Sequence, residues 1–453
     1  RDLGVVFAVL SLILALVVAL IAGGALGLRA FARSETGAAM FPLLATERMQ
    51  LVLAILPLLM PYAFFICLVG VVGAVLNTRK EFVLPALGAL LLNFFLIGGL
   101  GWGYYRAIPP AGLPQFLNVL SFLVLGSGAL QLVLMLLLLW YHGRFPSLKR
   151  ESFRDCAILK QLWKLVLPGM IGGAALQISF LVDRMLAIWL GPQAVPALNN
   201  VDRIVDLPIG IFALALGSVL MANMAQAAAR GSREELAEDL VFSLRHVYFV
   251  CIPMAVLVML FWQPLIRMLC LGGNYTESDL EATRYVAIFY GAGIPSFCVL
   301  KVVLPVYYAR KMMKIPLYSS LVSIACNIIL NLCLMWTLKQ GGIALSTVLA
   351  SMLNNTILIT LLHREGFNLQ GRLMLLTGLR SLLLAGAVGV GLYFLYPQLR
   401  RMLELPWFGE FPAFVALMAL FGGLYFGASF LLRAAEPREF FDIVRRRKKT
   451  EKL

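Results

Sequence analysis

The stretch RKEFVLP at residues 79–85 recurs as RKMMKIP at residues 310–316, and each copy lies between two long apolar runs. Both copies follow the pattern Arg-Lys-x4-Pro, a basic turn with a proline near the start of the next run, where a helix tolerates proline. Two short basic turns can also resemble each other by chance. If the resemblance reflects a duplication, the number of apolar runs between the copies gives the period of the repeat.

The composition excludes a water-soluble domain of this length. Of 453 residues, 61% are apolar and 13% are charged, and the mean hydropathy is +0.89. A helix needs about 20 apolar residues to cross a bilayer, and we find no alternating pattern of barrel strands. We therefore predict an all-α polytopic membrane protein with twelve transmembrane helices, at residues 4–28, 51–76, 83–105, 117–141, 163–190, 196–226, 247–270, 285–309, 315–338, 341–362, 375–396 and 411–433.

The repeated stretch follows the second and the eighth of these runs, so the predicted period is six helices. Runs one to four then match runs seven to ten, and the two unmatched runs predict that two further helices precede Arg1. The expected fold is a two-lobed, six-plus-six helix transporter with two extra C-terminal helices. The predicted parts are residues 1–150 as the remainder of the N-terminal lobe, 151–365 as the C-terminal lobe, 366–435 as the extra pair and 436–453 as a basic cytoplasmic tail.

Lysine and arginine concentrate in alternate loops and in the tail at residues 445–449, which predicts that both ends of the chain are cytoplasmic. The net charge of +15 then reflects topology and contact with anionic membrane lipids, so no nucleic-acid partner is expected. We find no catalytic triad, phosphate-binding loop or paired-carboxylate site, and the seven cysteines and three histidines form no metal-binding spacing. The sequence thus favours a transporter over an enzyme.

Ionisable residues inside predicted spans are the candidate functional residues, because each costs about 2.5–3.5 kcal/mol at a helix centre. Asp183 and Arg184 lie about two turns inside the end of the fifth run. Arg184 can extend toward the interface, whereas the short Asp183 side chain needs a cation or a hydrogen-bond partner.

The sixth run is polar in its first turns. Asn199, Arg203 and Asp206 share one helical face, and Asp202 is the neighbour of Arg203. A guanidinium there suits a phosphate or pyrophosphate group, and the alternative is a structural salt bridge at the membrane rim. Two residues farther along this run, Pro208 and Gly210, would allow bending during gating or a fixed kink.

Three later runs carry further polar residues. Lys301 lies eight residues from the end of the eighth run, where it either faces a cavity or extends to the interface. Asn327 and Asn331 are one turn apart, and Thr347 lies on the next run. With Asp183 they could form a small-cation site, or they could instead make hydrogen bonds between helices.

Taken together, these motifs resemble the MurJ (MviN) family of lipid II flippases, in the multidrug/oligosaccharidyl-lipid/polysaccharide exporter superfamily. The resemblance runs through nearly the whole chain. It is carried by Gln177-x5-Asp183, Asp202-Arg203-x4-Pro208-x-Gly210, Gly217-Ser218-Val219, Leu76-Asn77-Thr78 with Phe82 and Pro85, Lys301-x6-Tyr308-Ala309 with Pro316, and Gly342-x-Ala344-Leu345-Ser346-Thr347.

The resemblance implies a flippase in the bacterial inner membrane that moves an undecaprenyl-pyrophosphate disaccharide-pentapeptide to the periplasmic leaflet by alternating access. It implies that Arg203 binds the pyrophosphate, with Asp202 and Asp206 as acidic neighbours, and that the last two spans form a groove for the lipid tail. It implies no obligatory cofactor, but Asp183, Asn327, Asn331 and Thr347 match positions where some relatives bind sodium. Cell-wall synthesis machinery is the protein partner it implies.

The sequence shows three departures from the family pattern. Asn200-Val201 stands where Tyr-Ala is usual, Ala222 replaces a proline, and Asn331 is neutral where sodium-binding relatives can carry a carboxylate. Three other functions stay open: a flippase for another polyprenyl-linked glycan, a drug/cation antiporter of the same superfamily, and a scaffold that does not transport. An antiporter would favour more carboxylates in the cavity and would end at twelve helices.

Overall fold

The computed structural model describes residues 2–34, 39, 46–77, 83–109, 112–142, 174, 177–207, 209–210, 232–270, 276–310, 312–403, 411–437 and 439. These residues form helices joined by short turns and include no strand. The chain divides into two compact units, Arg1–Lys164 and Leu165–Leu453. The division at residues 150, 365 and 435 made from the sequence stays a prediction.

The first unit contains four described helices, whose bounds are α1 Asp2–Ala32, α2 Glu47–Asn77, α3 Val83–Tyr105 and α4 Leu113–Tyr141. In this unit α1 packs on α2, α2 on α4, and α3 on α4. The buried side chains of its core come from α2 and α4, among them Leu68, Val72 and Met135.

The second unit begins, within the described residues, with helical segments at residues 177–190 (α5) and 194–207 (α6). Gly191, with a φ of 127°, ends α5 in a conformation that glycine adopts at low cost. The later helices are α7 Arg233–Leu260, α8 Trp262–Cys270, α9 Glu277–Ala309, α10 Lys314–Leu338, α11 Gln340–Arg364, α12 Gly371–Leu403 and α13 Phe411–Leu431.

The two units share one packing pattern. In the second unit α7 packs on α9, α9 on α11, and α10 on α11, the same order as α1 on α2, α2 on α4, and α3 on α4. Both α3 and α10 also begin two residues before the proline of the repeated stretch, Pro85 and Pro316. The Arg-Lys-x4-Pro repeat thus corresponds to a repeated arrangement of four helices.

Nine helices in the described ranges are long and apolar enough to cross a membrane, and Leu90–Tyr105 in α3 is a shorter apolar helix. The chain is therefore a multi-pass membrane protein. The predicted count of twelve spans is not confirmed, because the runs at 163–190 and 196–226 lie partly outside the described residues. The seventh run also differs from its prediction, because its helix begins at Arg233 and breaks at Phe261 before α8.

An ion cluster fastens the segment after α13 to the rest of the second unit. Glu436 is only 1% exposed. Its carboxylate accepts from Arg245 Nη2 of α7 at 3.1 Å and from Thr377 Oγ1 of α12 at 3.3 Å, and it also contacts the Arg380 guanidinium. Burial alone would raise the pKa of Glu436, but a hydrogen bond from its own backbone and the charges of Arg380 and Arg245 outweigh burial and lower that pKa.

Candidate functional site

A cluster of polar side chains surrounds Asp183 inside the second unit. Asp183 is 4% exposed, and its carboxylate accepts from Asn331 Nδ2 at 2.6 Å and from Thr347 Oγ1 at 3.3 Å. Asn327 accepts from Asn331 Nδ2 at 3.2 Å and from Ser179 Oγ at 3.3 Å. We call these five residues the Asp183 cluster. The four residues predicted as a cation site are thus brought together, and Ser179 joins them.

One buried oxygen atom of the Asp183 cluster is free for a ligand. Asn331 Oδ1 is buried and has no hydrogen-bond partner among the described residues, which is costly unless another group contacts it. The Asn327 amide can also turn so that its nitrogen donates to Asp183 Oδ1 at 3.1 Å. A carboxylate, two amides and two hydroxyls therefore meet in the Asp183 cluster.

Next to the Asp183 cluster, Arg184 of α5 forms an ion pair with Asp202 of α6. The Arg184 guanidinium also lies over the Phe180 ring, 4.2 Å from its centroid, and its side chain is 11% exposed. This pair was not predicted from the sequence. The sequence pattern could have predicted it, because Arg184 and Asp202 lie at similar distances on either side of the tight turn at residues 191–193.

The Arg184 pairing engages the acidic neighbour of Arg203 in sequence. The neighbour in sequence, Asp202, is bound to Arg184, and Arg203 has no ion-pair partner within the described ranges. Arg203, Asn199 and Asp206 are all exposed on α6. Arg203 is therefore a cation available to a ligand, with Asp206 and Asn199 one turn away on the same helix.

Lys301 is exposed on α9, in a helix whose other face is buried against α7 and α11. It likewise has no ion pair in the part of the chain that the structure describes. Of the two residues predicted for gating, Gly210 is described as helical, whereas Pro208 lies outside the described residues. The motif at residues 217–219, Ala222 and the basic residues at 445–449 also lie outside them.

Tyrosine and asparagine side chains tie the helices around the Asp183 cluster to one another. Asn355 Nδ2 of α11 donates to Ser296 O of α9 at 2.8 Å, and Tyr307 OH of α9 donates to Leu358 O of α11 at 2.7 Å. The repeated stretch contributes here too, because Arg310 forms an ion pair with Glu365 at the ends of these helices. These contacts hold α11, the helix that carries Thr347, in register with α9.

Comparison with known proteins gives one family. The model of the family described as "Lipid II flippase MurJ" matches residues 3–404. A Vibrio cholerae protein named "Probable lipid II flippase MurJ" is 26% identical over 336 residues, which are 71% of this chain and 60% of that protein. A Burkholderia cenocepacia protein named "Lipid II flippase MurJ" is 26% identical over 324 residues, which are 68% of this chain and 59% of that protein.

Solved structures agree with this result at the level of the fold. A structure titled "Lipid II flippase MurJ, inward closed conformation" has a TM-score of 0.68 and 20% identity, and the match covers 95% of this chain and 83% of that one. A Vibrio cholerae MATE transporter has a TM-score of 0.60 and 13% identity, and the match covers 82% and 80% of the two chains.

The match to the family model covers most of the chain, whereas the chain spans about 60% of the length of the first curated relatives. The resemblance inferred from the motifs is confirmed: this chain belongs to the MurJ family.

Proposed function

We propose that this protein is a lipid II flippase, a transporter that moves an undecaprenyl-pyrophosphate disaccharide-pentapeptide from the cytoplasmic to the periplasmic leaflet by alternating access. The observation that carries the proposal is the match of residues 3–404 to the family model. No bond is made or broken in such a process, so the side chains need only bind, orient and release the headgroup. We place the protein in the bacterial inner membrane with both ends of the chain cytoplasmic, from its loop charges.

The pyrophosphate is assigned to Arg203. A planar guanidinium can donate two parallel hydrogen bonds to phosphate oxygens, and this one is exposed without an ion-pair partner among the described residues. Because Arg184 holds Asp202, that carboxylate does not compete for Arg203. Asn199 and Asp206 would hydrogen-bond to sugar hydroxyls, and Lys301 is a second exposed cation. Positive charge is what attracts a polyanionic headgroup.

A sodium ion is assigned to the Asp183 cluster. Asp183, Asn327, Asn331 and Thr347 supply the oxygen ligands that a small hard cation prefers, and the unpartnered Asn331 Oδ1 supports this assignment. A bound cation would supply a charge that offsets the buried carboxylate. The protein's part is to hold four side chains from α5, α10 and α11 together, so binding would favour the conformation in which these helices meet.

The remaining assignments follow the family. Pro208 and Gly210 would bend α6 while Arg203 holds the headgroup, and α12 with α13 would bind the lipid tail. Membrane lipids and cell-wall synthesis machinery are the further partners we propose. The Glu436 ion cluster supports a fixed position of α12 against α7, since it fastens both helices to the segment after α13.

The test is complementation in a bacterium depleted of its own lipid II flippase. Expression of this gene should restore growth, and Arg203→Ala should abolish rescue at equal membrane abundance, whereas Arg401→Ala, an exposed arginine at the end of α12, should not. Failure of the abundant unmodified protein to restore growth would reject lipid II as the substrate. Full rescue by Arg203→Ala would reject the assigned pyrophosphate site.

A further inference from the structure

A cavity of about 490 Å³, lined by both polar and apolar residues, lies where α5 turns into α6, α9 begins and α10 turns into α11. Its polar lining includes Gln193, Ser278, Glu281, Tyr285, Lys339 and Gln340. The loop charges assign this end of the second unit to the periplasmic side, because Arg310 and Arg364 lie at the opposite ends of α9 and α11. The volume falls in the range of roughly 300–1,000 Å³ that is usual for small-molecule sites.

Two glutamines hold the walls of the cavity through their amide nitrogens. Gln193 Nε2 donates to Ser278 Oγ at 3.0 Å, and Gln340 Nε2 donates to Ala282 O at 2.6 Å. Since the nitrogens are used within the protein, the amide oxygens remain as hydrogen-bond acceptors for a ligand.

Two opposite charges face the same cavity without neutralising each other. Glu281 and Lys339 are both exposed, and neither forms an ion pair with any residue in the described ranges. A cavity of this volume is roughly 10 Å across, so one small ligand can contact both. A ligand complementary to this cavity carries an ammonium group that contacts Glu281 and a carboxylate that contacts Lys339. A neutral sugar would use the acceptors and the Tyr285 ring but would leave Lys339 without a partner.

The backbone at Lys339 has an unusual conformation. Lys339 has a φ of 50° between α10 and α11, a conformation that is unfavourable for a residue other than glycine and that is often found at functional sites. At Gly341, a Cβ atom would lie 2.6 Å from Cβ of Tyr285, so the glycine lets α11 approach the Tyr285 wall closely. The Tyr285 ring in turn stacks on Phe289 at 6.3 Å. The walls are therefore preorganised, which lowers the entropic cost of binding.

The cavity is separate from the Asp183 cluster. Asp183 and Asn331 lie seven residues, about 10 Å, along α5 and α10 from the cavity residues Leu190 and Leu338. Between the two levels lie Ala187 on α5, Met335 on α10 and Ile343 on α11, and all three are fully buried.

We propose that this outer cavity binds a zwitterionic peptide end. The assignment rests on the proposed function for its physiological source, which would be the peptide portion of the headgroup after it reaches the periplasmic side. A free periplasmic peptide has the same chemistry, so the experiment includes both sources.

The test is titration of the chain in nanodiscs with three soluble probes: the disaccharide-pentapeptide without pyrophosphate or lipid, the disaccharide alone, and the free pentapeptide. We expect the first to bind and the disaccharide alone not to bind. Glu281→Gln and Lys339→Gln should each weaken binding about fivefold, as expected for exposed charge pairs. The matched controls are Glu47→Gln and Arg401→Gln, exposed charges at other helix ends, and both should leave binding unchanged.

Equal binding of the disaccharide alone, or unchanged affinity in both cavity variants, would overturn the proposal. Binding of the free pentapeptide as tight as that of the full probe supports the chemistry and identifies a free peptide as a source. Binding is measured without translocation. If the protein binds peptide but fails in complementation, the peptide site is supported and the proposed function is rejected. If the protein restores growth but binds no peptide, only the peptide site is rejected.

Discussion

The Arg184 guanidinium forms an ion pair with the Asp202 carboxylate, and this contact joins α5 to α6 directly beside the Asp183 cluster. Side-chain exposures of 11% and 29% mean that both charges have lost much of their hydration. Such a pair is costly to break from one side, because the remaining charge stays buried without a partner.

We predict that Arg184→Gln and Asp202→Asn each lower the free energy of unfolding by about 2–3 kcal/mol, and that the double variant loses less than the sum. The measurement is the thermal unfolding midpoint of the four proteins in detergent, combined as a double-mutant cycle. Arg203→Gln is the control and should have little effect, since Arg203 is exposed and makes no ion pair with a described residue. Strictly additive losses would show that the Arg184–Asp202 contact does not contribute to stability.

The sodium assignment predicts stabilisation that depends on the ion. Replacing potassium chloride by sodium chloride at equal ionic strength should raise the unfolding midpoint, by about 1.4 kcal/mol of stability when sodium is at ten times its dissociation constant. Asp183→Asn should abolish the difference between the salts, because the carboxylate is the one charged ligand of the Asp183 cluster. Asp206→Asn removes an exposed carboxylate and should retain the difference. Identical midpoints of the unmodified protein in both salts would reject a sodium site.

We predict that the protein loses stability in acid because of Glu436. Its pKa is lowered from the ordinary 4.5 in the folded state, so its contribution is fully present above the unfolded-state pKa and is lost as the pH falls through the folded-state pKa. The unfolding midpoint should therefore fall as the pH decreases below the ordinary pKa of 4.5. In Glu436→Gln this part of the fall should be absent, whereas the exposed Glu47→Gln should follow the unmodified protein. Parallel curves for all three proteins would contradict the prediction.

Gly342 predicts a packing defect on substitution. A Cβ atom there would lie 2.3 Å from the backbone oxygen of Leu334, and a backbone atom cannot move aside as a side chain can. Gly342→Ala should lower stability by about 1–3 kcal/mol. The matched control is Gly386→Ala in α12, where a Cβ would meet nothing within 4 Å, and it should raise stability by about 0.5–1 kcal/mol. Equal midpoints for the two variants would mean that α10 and α11 do not approach as closely as described.

The apolar runs predicted most of the described helices, because the requirement that a span be apolar over about 20 residues is local to the chain. The prediction for 83–105 agrees with α3, and the runs at 315–338 and 341–362 agree with α10 and α11 to within two residues. The prediction was less accurate for α7, because the first turns of this helix are charged and Ser232 caps them. A hydropathy pattern does not reveal a helix that extends beyond the membrane.

The helical membrane fold, the four-helix repeat and the family can be predicted from the sequence, since all three are properties of hydropathy and motifs along the chain. The chemistry of Asp183, Asn327, Asn331 and Thr347 also groups these residues without a structure. Which atoms meet depends on tertiary packing. Asn331 and Thr347 contact Asp183 across 148 and 164 residues, and Arg184 rather than Arg203 binds Asp202. Such contacts depend on the rotation and depth of packed helices, which no local pattern of residues specifies.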